Sequence, residues 1–266
     1  MSIFASDALK NEHILINGAT GGIGCETAKT IAKMGAKITV TGRSEDKLQN
    51  LKRELDKLTS SEMIYVHKAD LTDSNERERL VSESTEALGN ITGLVNSVGI
   101  TCGSTVDELS EEDLFNVMNV NYTSVVLLTQ LVYKEMLKEK RGAIVNISSL
   151  SGLRGTYGNT AYAGSKFAMM GFTQSMAVEA IQSNIRVNAV NPGFVDTKMG
   201  RDAIKRKARR NGITYEEQLK NVEADIPSGR ITKPEEVANA VSFLLTEAAG
   251  NIVGESLKIS GGVVMR

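Results

Sequence analysis

With 266 residues, 41% of them hydrophobic and 24% charged, the chain has the balance of a soluble globular protein large enough for one α/β domain. A formal net charge of -1 argues against a dedicated nucleic-acid binder, and two cysteines supply no disulfide framework and fit a reducing cytoplasm. Two histidines, His13 and His67, leave metal-ligand sets and Ser-His-Asp chemistry poorly supplied. In chain order, "HILING" is a short apolar run closed by Gly18, and "IGCETAKTIAKMG" has the period of an amphipathic helix stopped at Gly35. "AKITVTG" is a second strand, rich in β-branched residues, followed by a polar helical pattern over about residues 45–58. "MIYVHKAD" reads as a third strand, residues 74–88 as a helix and "ITGLVNSVG" as a fourth strand. A long helix over about residues 110–139 leads to a fifth strand, "GAIVNISS", then to a helix bearing Tyr162 and a sixth strand, "NIRVNAVNPG". "KPEE" caps a helix over 234–246, and "ESLKIS" makes the last strand.

Strands that alternate with helices imply right-handed crossovers, hence a parallel sheet covered on both faces. The expectation is one α/β domain over residues 1–266, doubly wound, with about seven strands and no repeat, linker or low-complexity tract. No stretch reaches the roughly 18 consecutive apolar residues of a membrane span. The N-terminal "MSIFASDALKNEHILING" has neither the basic region nor the apolar run of a secretory signal. Two helices carry more. "SVVLLTQLVYKEML" is apolar around most of its circumference, and the Tyr162 helix is filled with Ala, Gly and Met. Such helices are buried on more than one side, against a second subunit or a deep core.

"LINGATGGIGCETA" sets Gly18, Gly22 and Gly24 between the first strand and the first helix. Glycines there permit a tight turn and close approach of the backbone to a pyrophosphate, whose charge faces the helix N-terminus. A glycine trio alone is a weak signal; the strand before it and the helix after it supply the context of a dinucleotide site. An acidic residue at the end of the second strand would bind the ribose hydroxyls of NAD. This chain has Gly42, Arg43 and Ser44 instead. The planar fork of Arg43 suits a 2′-phosphate, and no carboxylate stands there to repel one. NADP(H) is therefore favoured, with NAD(H) the alternative.

"YAGSK" places Lys166 one turn after Tyr162, on the same helix face. An ammonium beside a phenol favours the phenolate and lowers its pKa from about 10. Tyr-x-x-x-Lys is common in helices, so the pair needs company. "KMGRDAIKRKARR", residues 198–210, holds seven basic residues and one acidic. It is either the solvated face of a helix or a landing site for an acidic partner or a phosphorylated substrate tail. No aromatic residue interleaves its charges, which argues against nucleic acid.

Taken together the motifs resemble the short-chain dehydrogenase/reductase family over nearly the whole chain, from "NGATGGIG" to "ISGG". The resemblance implies a Rossmann-type fold and a nicotinamide dinucleotide held by Gly18, Thr20, Gly21, Gly22, Ile23 and Gly24. Arg43 and Ser44 would take its adenosine end, and Asp70 and Leu71 of "ADL" would lie against the adenine. Asn96 and Gly99 of "NSVG" stand where the family usually has Asn-Asn-Ala-Gly. Pro192, Gly193, Val195 and Thr197 of "NPGFVDT" complete the cofactor contacts with Tyr162 and Lys166. The implied catalytic set is Asn121 of "NVNY", Ser149 of "NISS", Tyr162 and Lys166. Ser149 is preferred over Ser148 because it lies thirteen residues before Tyr162, the family spacing. By resemblance Tyr162 is the general acid/base, Lys166 lowers its pKa and holds the nicotinamide ribose, and Ser149 bonds the substrate oxygen. Asn121 would interrupt the long helix and hold a water linked to Lys166. Asn17 departs from the usual threonine, and Ser97-Val98 from Asn-Ala; both touch the cofactor loop.

Specificity in the family lies in a lid, here about residues 198–226, and in the loops after Gly99 and Ser149. "GITYEEQLKNVEADIPSGRITKPEEVA" and "VGIT" resemble 3-oxoacyl carrier-protein reductases and polyketide-type ketoreductases. Lys140 and Arg141 stand where such reductases often carry basic residues for the acidic carrier, whereas Ser183-Asn184 replaces their arginine and glycine. The implied substrate is a small-molecule or carrier-linked ketone or alcohol, and the implied state a cytoplasmic homotetramer with no nucleic-acid or membrane partner. Hydroxysteroid, sugar and small-alcohol dehydrogenases share these motifs. A non-catalytic dinucleotide sensor is the alternative of another class, and it would be expected to lose Tyr162 or Lys166. Both are present.

Overall fold

The first strand, β1 (His13–Asn17), already shows why both faces of the sheet are covered. Ile14 and Ile16 enter one apolar core while Leu15, between them, enters another, as the two-residue period of a strand requires. The computed structural model describes residues 3–265, so Met1, Ser2 and Arg266 of the expected domain lie outside the described residues. Six more strands join β1: β2 (Lys37–Gly42), β3 (Ile64–Lys68), β4 (Gly93–Asn96), β5 (Gly142–Ile147), β6 (Ile185–Pro192) and β7 (Ser256–Ile259). All pairs are parallel, in the order β3-β2-β1-β4-β5-β6-β7. The doubly wound Rossmann-type sheet expected from the sequence is thus the observed one. Its order reverses between β1 and β4, and a crevice opens there beyond the carboxyl ends of the strands.

One face packs α1 (Gly22–Ala32), α2 (Glu45–Leu55) and α9 (Pro234–Leu245). The other packs α3 (Ser74–Leu88), α5 (Ser124–Glu139) and α6 (Thr160–Ala180). The long helix expected over 110–139 is α4 (Glu111–Met118) and α5 joined by one π-helical turn, Asn119–Thr123, which holds Asn121. The expected helical pattern of 45–58 stops at Leu55, where turn hydrogen bonds from Leu58 and Thr59 to the Leu55 carbonyl close it. Residues 198–226 form a lid of two helices, α7 (Lys198–Asn211) and α8 (Tyr215–Ala224). The sequence reading did not resolve α8. Its signal was the Thr-x-x-Glu of 214–217, where Glu217 N donates to Thr214 Oγ1 and Thr214 N to Glu217 Oε2 (3.2 and 2.9 Å).

A row of buried amides crosses the sheet where the strands end. Asn17, Asn96 and Asn146 sit side by side on β1, β4 and β5. Asn17 Nδ2 donates to Asn96 Oδ1, Asn96 Nδ2 to Asn146 Oδ1 (2.7 Å) and Asn146 Nδ2 to Thr173 Oγ1 of α6 (2.9 Å). Asn96 also donates to Thr129 Oγ1 of α5 (3.0 Å), so both helices are keyed to the sheet. Asn17 Oδ1 accepts from the backbone of Ser97 and Val98 (2.9 and 3.0 Å), which shapes the loop after β4. The asparagine that departs from the family pattern therefore has a definite structural task.

His13, at the start of β1, is buried between the Gly89 carbonyl and Thr39 Oγ1 (2.7 and 2.9 Å). Burial pushes its imidazole down to about 4 from an ordinary 6.5, so the unfolded chain takes up the proton first. Its contribution is complete above pH 6.5 and is lost as pH falls toward 4, at a cost on the order of 3 kcal/mol. Urea unfolding across this window, for wild type and His13→Gln, checks the point: the wild type should lose more stability on acidification than the non-titrating variant. Equal losses would contradict it.

Candidate active site

A cleft of about 1310 Å³ runs across the carboxyl ends of the strands, and its two ends differ in chemistry. At one end the loop between β1 and α1 is pressed so closely into its surroundings that side chains have no room. A Cβ on Gly18, whose φ is +63°, would lie 2.6 Å from the Val98 nitrogen. One on Gly24 would lie 2.4 Å from the Gly18 carbonyl, and one on Gly22 would lie 2.5 Å from Thr197 Cγ2. The α1 N-terminus has no side-chain cap and no acidic residue in its first turn, which leaves its dipole to an anion. Bare backbone, a helix N-terminus and a slot between two loops fit the pyrophosphate of a dinucleotide.

Arg43 lies exposed on the wall of this end, with Lys47 from the first turn of α2, a residue the sequence reading passed over. Its signal was its place three residues after Ser44, on the first turn of α2. Asp70 accepts from the Thr72 amide and hydroxyl (3.0 and 2.8 Å). Those bonds, with the Arg43 charge behind them, hold its carboxyl below the usual range.

Deeper in, three elements bring the catalytic candidates together. Ser149 lies two residues past β5 in extended backbone; its Oγ accepts from the Ser151 amide (3.1 Å) and its carbonyl from Asn191 Nδ2 (2.9 Å). Gly152, just after, has no room for a Cβ: one would stand 2.7 Å from the Lys166 carbonyl. Ser148 Oγ donates to that same carbonyl (3.1 Å), so the Ser149 turn is clamped onto α6. Lys166, buried, donates from Nζ to the Ile147 carbonyl (2.9 Å) and sits 5.7 Å from the centre of the Tyr162 ring. Asn121 projects from the π turn, accepts from Ile100 N (2.8 Å) and donates to the Ile100 carbonyl and Ser165 Oγ (2.9 and 3.0 Å). Lys166 Nζ and Asn121 Oδ1 converge above Gly99, 3.6 and 3.7 Å from where its Cβ would be.

The protonation balance differs from the one expected from the Tyr-x-x-x-Lys pair. Burial pushes the Tyr162 phenol above its ordinary 10, opposed by a hydrogen bond with Ser149. Burial also pushes the Lys166 ammonium down to about 8. Desolvation disfavours the charged form of each group and is the leading cause at both.

Among the expected site residues, Gly18, Thr20, Gly21, Gly22, Ile23, Arg43, Asp70, Leu71, Gly99, Pro192, Gly193, Val195 and Thr197 line the cleft with Ser149, Tyr162 and Lys166. Gly24, Ser44, Asn96 and Asn121 do not line it. Gly24 fits helix to loop, Ser44 precedes α2, Asn96 belongs to the amide row and Asn121 backs Lys166. At the substrate end, Leu150, Phe194, Met199, Val222 and Ile226 give an apolar lining, and Thr101 Oγ1 donates to Asn159 Oδ1 (2.7 Å). Arg206 and Arg210 of α7 stand at the mouth. Arg141, expected near an acidic partner, is instead paired with Glu12.

This combination of parallel sheet, glycine cradle and a Tyr-Ser pair beside a buried lysine defines a dinucleotide-dependent oxidoreductase. A family description, short chain dehydrogenase, matches residues 12–208, and the chain belongs to that family. It is 36% identical over 257 residues to 3-oxoacyl-(acyl-carrier-protein) reductase FabG of Thermotoga maritima, covering 97% of this chain and 99% of the relative. It is 37% identical to an acetoacetyl-CoA reductase of Acinetobacter sp., covering 94% and 97%. The fold superposes on a variant of actinorhodin polyketide ketoreductase with NADPH at a TM-score of 0.92 and 33% identity, over 95% of this chain and 97% of that one. Levodione reductase follows at 0.90 and 28% identity, over 96% and 98%.

Proposed function

We propose that the chain reduces the ketone of a 3-oxoacyl thioester to a secondary alcohol with NADP(H), through Tyr162, Lys166, Ser149 and Asn121. The convergence of Tyr162, Lys166 and Ser149 in an apolar-lined cleft, with Asn121 behind them, carries the reading. When bound, the nicotinamide supplies the hydride. Ser149 donates a hydrogen bond to the substrate carbonyl oxygen and stabilises the charge that develops there. Tyr162, kept protonated at neutral pH by burial, gives that oxygen its proton. Lys166 stabilises the phenolate left behind, and the Asn121 carboxamide oxygen lies beside the ammonium above Gly99. In the reverse direction Tyr162 acts as the base. The residues of the glycine loop, Arg43, Ser44, Asp70 and Thr197 hold the dinucleotide, and Lys166 its nicotinamide ribose. The thioester substrate is supported by the similarity to a 3-oxoacyl-(acyl-carrier-protein) reductase and an acetoacetyl-CoA reductase. We place the enzyme in the cytoplasm; among the described residues no helix is long and apolar enough to cross a membrane.

Replacement of Tyr162 by Phe removes only the proton donor. Turnover of an acetoacetyl thioester should fall by at least about a hundredfold, while circular dichroism and NADPH binding stay as in wild type. Retention of most of kcat would exclude the mechanism.

Cofactor choice rests on Gly42, Arg43, Ser44 and Lys47. Charge-assisted bonds from Arg43 to a 2′-phosphate are worth roughly 1.5–3 kcal/mol, or about tenfold to a hundredfold in preference, and exposure favours the lower figure. A Cβ on Gly42 would meet Thr20 Oγ1 at 3.1 Å, so Gly42→Asp fits once Thr20 gives way slightly. That variant should invert the ratio of kcat/KM for NADPH and NADH. A wild type that prefers NADH would refute the assignment.

Phe115 of α4 is 64% exposed, and Phe167 and Val178 of α6 are 47% and 68% exposed, on the side of the sheet that α5 shares. Leu127 and Leu137 of α5 add to this apolar surface, which suits a symmetric homotetramer. Light scattering at micromolar concentration should give four chains, and Phe115→Asp with Phe167→Asp should lower that number. A wild-type monomer would overturn the assembly.

A further inference from the structure

We infer that Arg206 and Arg210 form an anion site at the mouth of the cleft, which takes the phosphate of a phosphopantetheine arm carrying the ketone thioester. This rests on the thioester reading above. Helix α7 turns Ile204 and Ala208 into the protein and leaves its basic residues outside, but they do not all do the same thing. Lys198 pairs with Asp202 (2.7 Å), Lys205 lies 3.9 Å from the same carboxylate, and Arg201 pairs with Asp196 (2.5 Å). Asp202 is the only acidic residue of α7. Arg206, Lys207 and Arg210 have no ion pair among the described residues, although all three line the cleft.

The two arginines are one helical turn apart and reach across the mouth to the opposite wall. Arg206 lies over Gly103, so closely that a Cβ there would be 2.5 Å from its Nε. Arg210 stacks its guanidinium 4.5 Å from the centre of the Tyr157 ring, with Nη1 3.3 Å from the Cβ position of Gly158. Gly103 and Gly158 both have positive φ, +76° and +63°, and the bare backbone of each leaves space for an arginine. The helix dipole favours basic residues in the last turn of α7, Arg209 and Arg210, but it does not favour Arg206. Like charges at this spacing repel within the helix. An anion between the two guanidinium groups relieves that repulsion and gains charge-assisted hydrogen bonds.

Position identifies the anion's owner. Thr197, at the start of α7, touches the glycine loop at Gly22. At 1.5 Å per residue, Arg206 and Arg210 stand about 14 and about 20 Å along the helix from it. That is past the cofactor's phosphates and on the substrate side, where Thr101 and Asn159 also lie. A substrate that places a ketone at Tyr162 and an anion at the mouth is a short acyl group on a long phosphate-ended arm. Coenzyme A and carrier proteins share that arm.

Steady-state kinetics with NADPH and two synthetic substrates that differ by one phosphate tests the site. These are S-acetoacetyl-phosphopantetheine and S-acetoacetyl-pantetheine. The double variant Arg206→Gln, Arg210→Gln should raise KM for the phosphorylated substrate by about tenfold or more with kcat within about twofold. Its constants for the pantetheine thioester should stay within about twofold of wild type. Lysine at both positions should restore part of the loss, because the charge returns without the planar fork. Acetoacetyl-coenzyme A and an acetoacetyl carrier protein, run beside them, separate the two sources: the one whose KM rises more in the double variant is the arm's owner. Equal losses on both synthetic substrates, or none on either, would overturn the anion site alone. A wild type that reduces a simple ketone but neither thioester would overturn the thioester reading, and the site with it.

Discussion

Asn17, Asn96 and Asn146 form the constraint on which the cleft depends. Each is buried at the end of a strand, and each amide is satisfied by the next or by a threonine of the helix behind it. An unpaired buried amide costs about 1–3 kcal/mol, so the row holds only when β1, β4, β5, α5 and α6 are all in register. Two consequences follow at the site. The loop after β4 is drawn over Gly18 by the Asn17 carboxamide, and α6 is set against β5 at the height where Tyr162 meets Ser149. The cofactor cradle and the proton donor are thereby held by one network of hydrogen bonds.

The same tight packing sets the chemistry of the Tyr-Lys pair. In water an ammonium beside a phenol would lower the phenol's pKa; here both groups are driven toward neutrality by burial. A phenol that keeps its proton until a carbonyl oxygen accepts it suits an acid in ketone reduction. Ser148 and Gly152 contribute by position alone, clamping the Ser149 turn onto the backbone of Lys166.

The lid repeats the pattern of bare backbone making room for function. Gly22 admits Thr197 at its root, and Gly103 and Gly158 admit Arg206 and Arg210 at its tip. Arg201 ties the root of the helix to Asp196, whereas Arg206, Lys207 and Arg210 line the cleft with no ion pair among the described residues.

Alternating apolar runs and helical periods were enough to read the parallel sheet, because both signals are local and each strand's two faces show in a few residues. The glycine loop was legible from its place between a strand and a helix, whereas Ser149, Tyr162 and Lys166 were singled out by the resemblance. The interruption of the long helix at Asn121 was expected from the resemblance, and its π-helical form is given by the structure. What the sequence left open depended on contacts between distant segments. The α7 basic run reads first as a solvated face, with a landing site as the alternative, until Gly103 and Tyr157, far away in the chain, are seen beside it. The pairing of Arg141 with Glu12 is one such contact. The Tyr162 shift, expected downward from Lys166, is upward, because desolvation is a property of everything packed around a group and the i, i+4 partner is only one neighbour.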